Sequence, residues 1–480
     1  MKKLLLFNLL LVIVTANISI GYSKVKLPRL VGDGMVLQRN VKIPIWGWAD
    51  PLEIVEVSFK GKKYKTQADQ SKRWSIQLES AEAGGPYQMT VKGIDSEYTI
   101  SDIYIGDVWL CSGQSNMNWR MKQIEPAYSL QPEDNFTAIR HIEVGRKGTN
   151  TPEDDILSIG WRKATPEQLP AYSAVAYFFA KELHQKLNVP IGLISASWGG
   201  ATAESWASQE ALTEFPHYLA RFDSIQDSEK VKVLTAKKEL QVHHEPIMLY
   251  NGMIAPVVNY GMKGVIWYQG ESNVSKAEEY KQLMPALVEN WRKKIGQGNI
   301  PFLFVQLANY KAYNPKMVKS EWAELRDAQL NNWKTIPNSG MAVAIDVGEA
   351  KDIHPKNKWT VGQRLALLAQ YIAYGNKQVV YSGPIYKELK IVGNKARLSF
   401  DHLGSGLSTR NNEALSGFYI AGADGNFVPA TAVIVKDKVE VSSTEVSRPV
   451  SVRYAWQDNP ETSNLINKEG LPASPFKTDR

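Results

Sequence analysis

The hydrophobic positions change their period twice along the chain. Up to about Ser101 they alternate or form short apolar runs, at residues 41–48, 54–59 and 87–91, separated by turn residues such as Gly32, Gly34, Gly84 and Pro86. Short strands with frequent turns predict a small β-sandwich over residues 24–101. From Asp102 to Lys377 five apolar runs stand out, at 108–111, 192–196, 265–268, 302–307 and 341–345. Helical patterns lie between them: Val175, Phe179, Leu183 and Leu187 share one face, and 277–295 and 359–374 are amphipathic. Strands alternating with helices predict an α/β domain over 102–377, a doubly wound parallel sheet of five strands. The β pattern returns over 378–480, with strands expected at 389–392, 396–400, 417–420 and 450–454 and a loop-like tail from Asn464 that packs back on the middle domain.

The 480-residue length accommodates these three domains. Residues 1–23 read as an export signal: Lys2 and Lys3 precede an apolar stretch from Leu4 to Ala16, too short for a bilayer span, and small and polar residues follow. The expected location is therefore exported, periplasmic or secreted, with no membrane attachment after cleavage. The single cysteine, Cys111, cannot form a disulfide within the chain and sits inside an apolar run, as a small buried residue would. The formal net charge of +7 comes without a dense Lys/Arg stripe, so nucleic acid is not an expected partner.

The first run of the middle domain ends in the stretch DVWLCSGQSNM, residues 107–117. In a doubly wound sheet ligands bind beyond the carboxyl ends of the strands, where Ser115 falls. A serine hydroxyl becomes a nucleophile only with a base and with donors for the developing oxyanion. Among seven histidines, His354 in DIHP (352–355) lies just past the fifth run and before a helix. His402 lies in the β-rich tail; His243 and His244 read as surface or packing residues; His141, His184 and His217 have no motif around them. Two further loops carry donors: SWGGAT at 197–202, whose glycines let backbone amides approach a ligand, and WYQGESN at 267–273. The residue two after Ser115 is Met117, so the Gly-x-Ser-x-Gly elbow of α/β-hydrolases is absent.

Taken in chain order, GQSN (113–116), WGG (198–200), WYQGESN (267–273) and DIHP (352–355) resemble the blocks of the SGNH hydrolases, specifically the sialate O-acetylesterase family. LYNGMI (249–254) and SAVAYFF (173–179) extend the resemblance through the middle domain. It implies the SGNH fold, Ser115 as nucleophile and His354 as general base. It implies an oxyanion hole from the Ser115 amide, Gly199 or Gly200, and a side-chain amide of the third block, for which we favour Gln269 over Asn273. SGNH enzymes commonly place an aspartate three residues before the histidine; here Lys351 stands there, and Asp352, two before, is the expected orienting acid, with Glu349 or a backbone carbonyl as alternatives. Asn116, Trp198, Glu271 and Arg326 are the expected substrate-binding residues. Trp198 also reads as core, and Arg326 as an ordinary helix residue. No metal or organic cofactor is implied.

The expected activity is that of an exported carbohydrate O-acetylesterase with an O-acetylated sugar as partner, sialic acid by resemblance. Acetylated xylan or another plant glycan is the alternative within the class, and a non-catalytic glycan-binding protein the alternative outside it. A glycosidase needs paired carboxylates, and Glu271 has no evident partner.

Overall fold

In the computed structural model, the described residues are 25–479 except 125–127, 129, 132 and 317–318. The export signal expected over residues 1–23 lies outside them. Among the described residues, no helix is long and apolar enough to cross a membrane.

The centre is a mostly parallel sheet. Its strands, in spatial order, are Ser339–Ala342, Phe302–Val305, Gly264–Tyr268, Glu97–Gly113, Ile191–Ser197, Phe136–Glu143 and Arg162–Ala164, and only the last runs antiparallel to its neighbour. The sheet therefore has six parallel strands where the apolar runs predict five. The additional one, Phe136–Glu143, carries Arg140 and His141 in its buried stretch, which break the apolar signal. Buried Arg140 is paired with Asp102 at 2.8 Å, so its charge is compensated by a carboxylate of the long strand Glu97–Gly113.

Both faces of this sheet are covered, which explains its unalternating strands. Trp109, Cys111, Ile191, Leu193, Ile266, Tyr268, Leu303 and Val305 pack in one core with the helices Ala174–Leu187 and Lys358–Ile372. Their alternate neighbours, among them Val108, Leu110, Ile194, Ala196, Val265 and Trp267, pack in a second core with the helices Ala277–Ile295 and Glu321–Thr335. Helices thus pack against both faces of the sheet.

The long strand Glu97–Gly113 belongs to two sheets. Its first half pairs antiparallel with Gly84–Lys92, which continues to Ile54–Phe59 and Lys62–Gln67; its second half is the middle of the central sheet. Asp102, at φ 59°, marks the passage. Residue 101/102 is thus a change of packing partner inside one continuous strand. Beyond residue 378, antiparallel sheets form from Ile385–Val392, Lys395–Asp401, Lys438–Ser442 and Thr431–Val435, and from Phe418–Ala421, Ser451–Tyr454 and Phe476–Lys477. The tail contains the short strands Leu465–Asn467 and Phe476–Lys477 and touches the central region where Gln306 Nε2 donates to Ser474 Oγ at 2.9 Å.

Candidate active site

Four loops at the carboxyl ends of parallel strands converge on Ser115. The strand Glu97–Gly113 ends at Gly113 with φ +132°, where a β-carbon would stand 2.2 Å from the Tyr268 carbonyl oxygen. Only glycine fits this turn. The Gln114 amide then donates to that same carbonyl at 2.9 Å, and Ser115 opens the single helical turn Ser115–Asn118. The neighbouring loop is tied in by the Trp198 amide, which donates to the Gly113 carbonyl at 3.1 Å.

His354, 239 positions away in sequence, comes to the same point: its Nε2 is 2.9 Å from Ser115 Oγ. Asp352 stands on the other side of the imidazole. Its Oδ1 accepts the His354 backbone N–H at 2.8 Å and lies 3.4 Å from Nδ1. The ring stacks on Trp119, with centroids 4.9 Å apart and planes 17° apart. Burial, and then the nearby Lys358, hold His354 below its ordinary pKa, while Asp352 opposes them. Glu349 is engaged elsewhere, accepting the Lys356 backbone N–H at 3.1 Å. This geometry can pass a proton from the hydroxyl to the ring and stabilise the imidazolium that results.

Gly199 lies directly against Ser115. A β-carbon there would be 3.4 Å from Ser115 Cβ. Among the described residues, neither the Ser115 nor the Gly199 backbone N–H has an acceptor, so both are available to a developing oxyanion. The expected third donor is corrected. Gln269 is fully buried, and its Nε2 donates to the Ala201 carbonyl (3.2 Å) and to Asn273 Oδ1 (2.6 Å), while its Oε1 accepts from Tyr280 (3.0 Å). Asn273 is equally committed, donating to Glu204 at 2.8 Å and accepting from the Ala203 amide at 2.9 Å. These two amides brace the second and third loops against each other. The side-chain amide left over belongs to Gln114: its Oε1 accepts from the Gly270 and Ser272 amides (3.2 and 3.4 Å), and its Nε2 has no acceptor among the described residues.

Behind Ser115 runs a buried polar chain that sequence reading missed. The ammonium of fully buried Lys358 donates to Asn116 Oδ1 and lies 5.6 and 5.5 Å from the ring centroids of Trp119 and Tyr268. Asn116 Nδ2 in turn donates to Glu271 Oε1 at 2.5 Å and to the Ile353 carbonyl at 3.1 Å. Asn116 and Glu271 therefore join the loops that carry Ser115 and His354 rather than facing a substrate. Burial brings Lys358 down to about 7 and pushes the Glu271 carboxyl up. The available signal was spacing: Lys358 stands four residues after His354, on the inward side of its helix.

This arrangement has a pH signature. Below its pKa, His354 is protonated and cannot accept the serine proton. Its value is depressed from 6.5, so the acid limb of the kcat/KM profile should fall below pH 6.5. Lys358, one of the groups that depress it, is charged in that range. Lys358→Met should move the limb upward. An acid limb at the same pH in both proteins would show that Lys358 exerts no field on the histidine.

Arg326 is not brought to the site, which corrects its expected role. It is fully buried, and its guanidinium donates to the carbonyls of Leu307, Ala308, Gln457 and Asp458 at 2.7–3.0 Å. It fastens the C-terminal region to the end of a central strand, with no free donor face for a sugar. Trp198 is half-buried and stacked on His243, whereas Trp206 is core. His141 is buried against Tyr172, and burial pulls it down to about 3; His402 packs between Trp333 and Tyr381. Neither bonds to Ser115.

With the geometry in place, comparison with known proteins is informative. A family model described as carbohydrate esterase, sialic acid-specific acetylesterase, matches residues 105–371, more than half of the chain. The sialate O-acetylesterase of Homo sapiens is 29% identical over 490 residues, covering 93% of this chain and 91% of that protein. The Mus musculus sialate O-acetylesterase is 29% identical over 499 residues, covering 92% of each. Among solved structures, the carbohydrate acetylesterase XAC1771 from Xanthomonas citri superimposes with a TM-score of 0.84 at 40% identity, covering 95% of this chain and 99% of that one.

Proposed function

The chain belongs to the carbohydrate esterase family of sialic acid-specific acetylesterases, and from that premise we propose that it removes O-acetyl groups from sialic acids through an acyl-enzyme on Ser115. It is a hydrolase of carboxylic esters. The observation that carries the serine mechanism is the 2.9 Å separation of Ser115 Oγ and His354 Nε2.

In the first half-reaction Ser115 Oγ attacks the acetyl carbonyl carbon while His354 Nε2 accepts its proton. The carbonyl oxygen becomes an oxyanion facing the amides of Ser115 and Gly199, with the Gln114 side chain as the third donor. The imidazolium, steadied by Asp352, gives its proton to the departing sugar oxygen as the C–O bond breaks. In the second half-reaction His354 takes a proton from water, the hydroxide attacks the acetyl-serine, and acetate leaves with Ser115 reprotonated. The sheet with helices on both faces and its serine block supports a doubly wound, SGNH-type reading of the fold.

Sialic acid is favoured by the family and by the relatives' names; acetylated xylan is the competing substrate. Acetate release should be measured on O-acetylated sialic acids and acetylated xylo-oligosaccharides side by side. A higher kcat/KM on the sialic acids is expected. A clear preference for the xylo-oligosaccharides would overturn the sialate reading and leave the serine mechanism standing.

A further inference from the structure

A group of basic and aromatic side chains flanks the oxyanion loop and takes no part in the steps above. Trp198 stacks on His243, with centroids 5.4 Å apart and planes 19° apart, and the Arg146 guanidinium lies 5.8 Å from the Trp198 ring centroid. His244 packs edge-on against His243 at 4.3 Å. Both Nε2 atoms point at Gly200: a β-carbon there would stand 3.3 Å from that of His243 and 3.7 Å from that of His244.

Charge is unbalanced at this spot. Of the carboxylates near in sequence, Glu143 pairs with Arg120 and Arg162, Glu153 with Lys147 and Glu245 with Arg221, and among the described residues no ion pair joins Glu239 to Arg146, His243 or His244. Arg146 is exposed and has no carboxylate partner among the described residues. No hydrogen bond engages either ring of the histidine pair among these residues. Three basic side chains held together without an acid form a ready place for an anion. Burial, then His244 and Arg146, bring His243 down to about 4, so at neutral pH it is an uncharged donor or acceptor and Arg146 supplies the fixed charge.

Distance links this group to the chemistry. An added β-carbon on Gly199 would meet Ser115 and one on Gly200 would meet both histidines, and neighbouring Cα atoms are about 3.8 Å apart, so His243 Nε2 is at most about 15 Å from Ser115 Oγ. One O-acetylated sialic acid can span that interval from a side-chain ester to its C1 carboxylate.

We propose that Arg146, His243 and His244, braced by Trp198, form a carboxylate subsite that selects acidic acetylated sugars over neutral ones. The inference rests on the sialate reading and adds the residues that impose it. Arg146 is the anchor, because a guanidinium offers a forked donor pair to a carboxylate.

The test compares two substrates: an O-acetylated sialic acid and the same compound with its C1 carboxyl blocked as an amide, followed by acetate release. The wild-type enzyme should prefer the free acid, and the preference should fall with added salt. In Arg146→Ala the ratio of kcat/KM for acid over amide should drop about tenfold, the loss of one charge-assisted hydrogen bond. Arg146→Lys should recover part of it. An unchanged ratio in Arg146→Ala, or equal loss on both substrates, would overturn the subsite. Wild-type turnover of neutral acetyl esters with none of either sialic acid derivative would instead overturn the substrate reading, and the subsite with it.

Discussion

Ser115→Ala should lose acetyl-ester hydrolysis by about ten-thousand-fold or more, His354→Ala should lose about as much, and the double variant should be scarcely worse than either. The non-additivity is the informative part. Ser115 Oγ and His354 Nε2 meet at 2.9 Å, so in the proposed mechanism the hydroxyl is activated only while the ring is present. Removing either disables one unit. The activity that survives comes from binding and from the oxyanion amides, which neither substitution touches. Steady-state acetate release from the three purified variants checks this. Losses that multiply in the double variant would show that the two groups act separately, which the geometry does not allow.

Gly113→Ala should be the most damaging change that leaves every reacting atom in place. Its β-carbon would be 2.2 Å from a backbone carbonyl, that of Tyr268, in the middle of a parallel sheet, at a φ of +132°. Backbone on both sides prevents relief by a rotamer change. The strand end must shift, and the Gln114 amide bond to the same carbonyl shifts with it. Destabilisation of about 4 kcal/mol or more is expected, together with loss of activity. Gly298→Ala is the control. Gly298 also has positive φ, at +73°, but nothing lies within 4 Å of its added carbon, so about 1 kcal/mol is expected. Thermal unfolding of both variants separates the cases. Equal Tm values would mean that the Gly113 turn is loose.

The readable parts of the site share a physical cause. Strands covered on both faces need no polar alternation, so the runs around Val108, Leu193, Val265 and Phe302 stand out, and polar residues just beyond them mark the strand ends. Ser115 and His354 were found that way. The strand Phe136–Glu143 escaped because Arg140 is buried by pairing with Asp102, a partner 38 positions away. Lys358 escaped because a lysine on a helix ordinarily faces water; here Asn116 and two aromatic rings receive it. Sequence reading weighed Gln269 against Asn273 and did not reach Gln114, because which side-chain amide stays unengaged depends on the carbonyls and amides each one meets, a property of neighbouring loops rather than of the motif. Arg326 looked available for a carboxylate because its carbonyl partners at Gln457 and Asp458 lie about 130 positions on.

The most direct measurement is covalent capture of the nucleophile. A fluorophosphonate should phosphonylate the native protein with loss of fluoride, and tandem mass spectrometry of the tryptic peptide spanning residues 93–120 should place the adduct on Ser115. The adduct should be absent from Ser115→Ala and formed far more slowly in His354→Ala. An active enzyme that carries the adduct on another residue, or that labels equally fast without His354, would contradict the account.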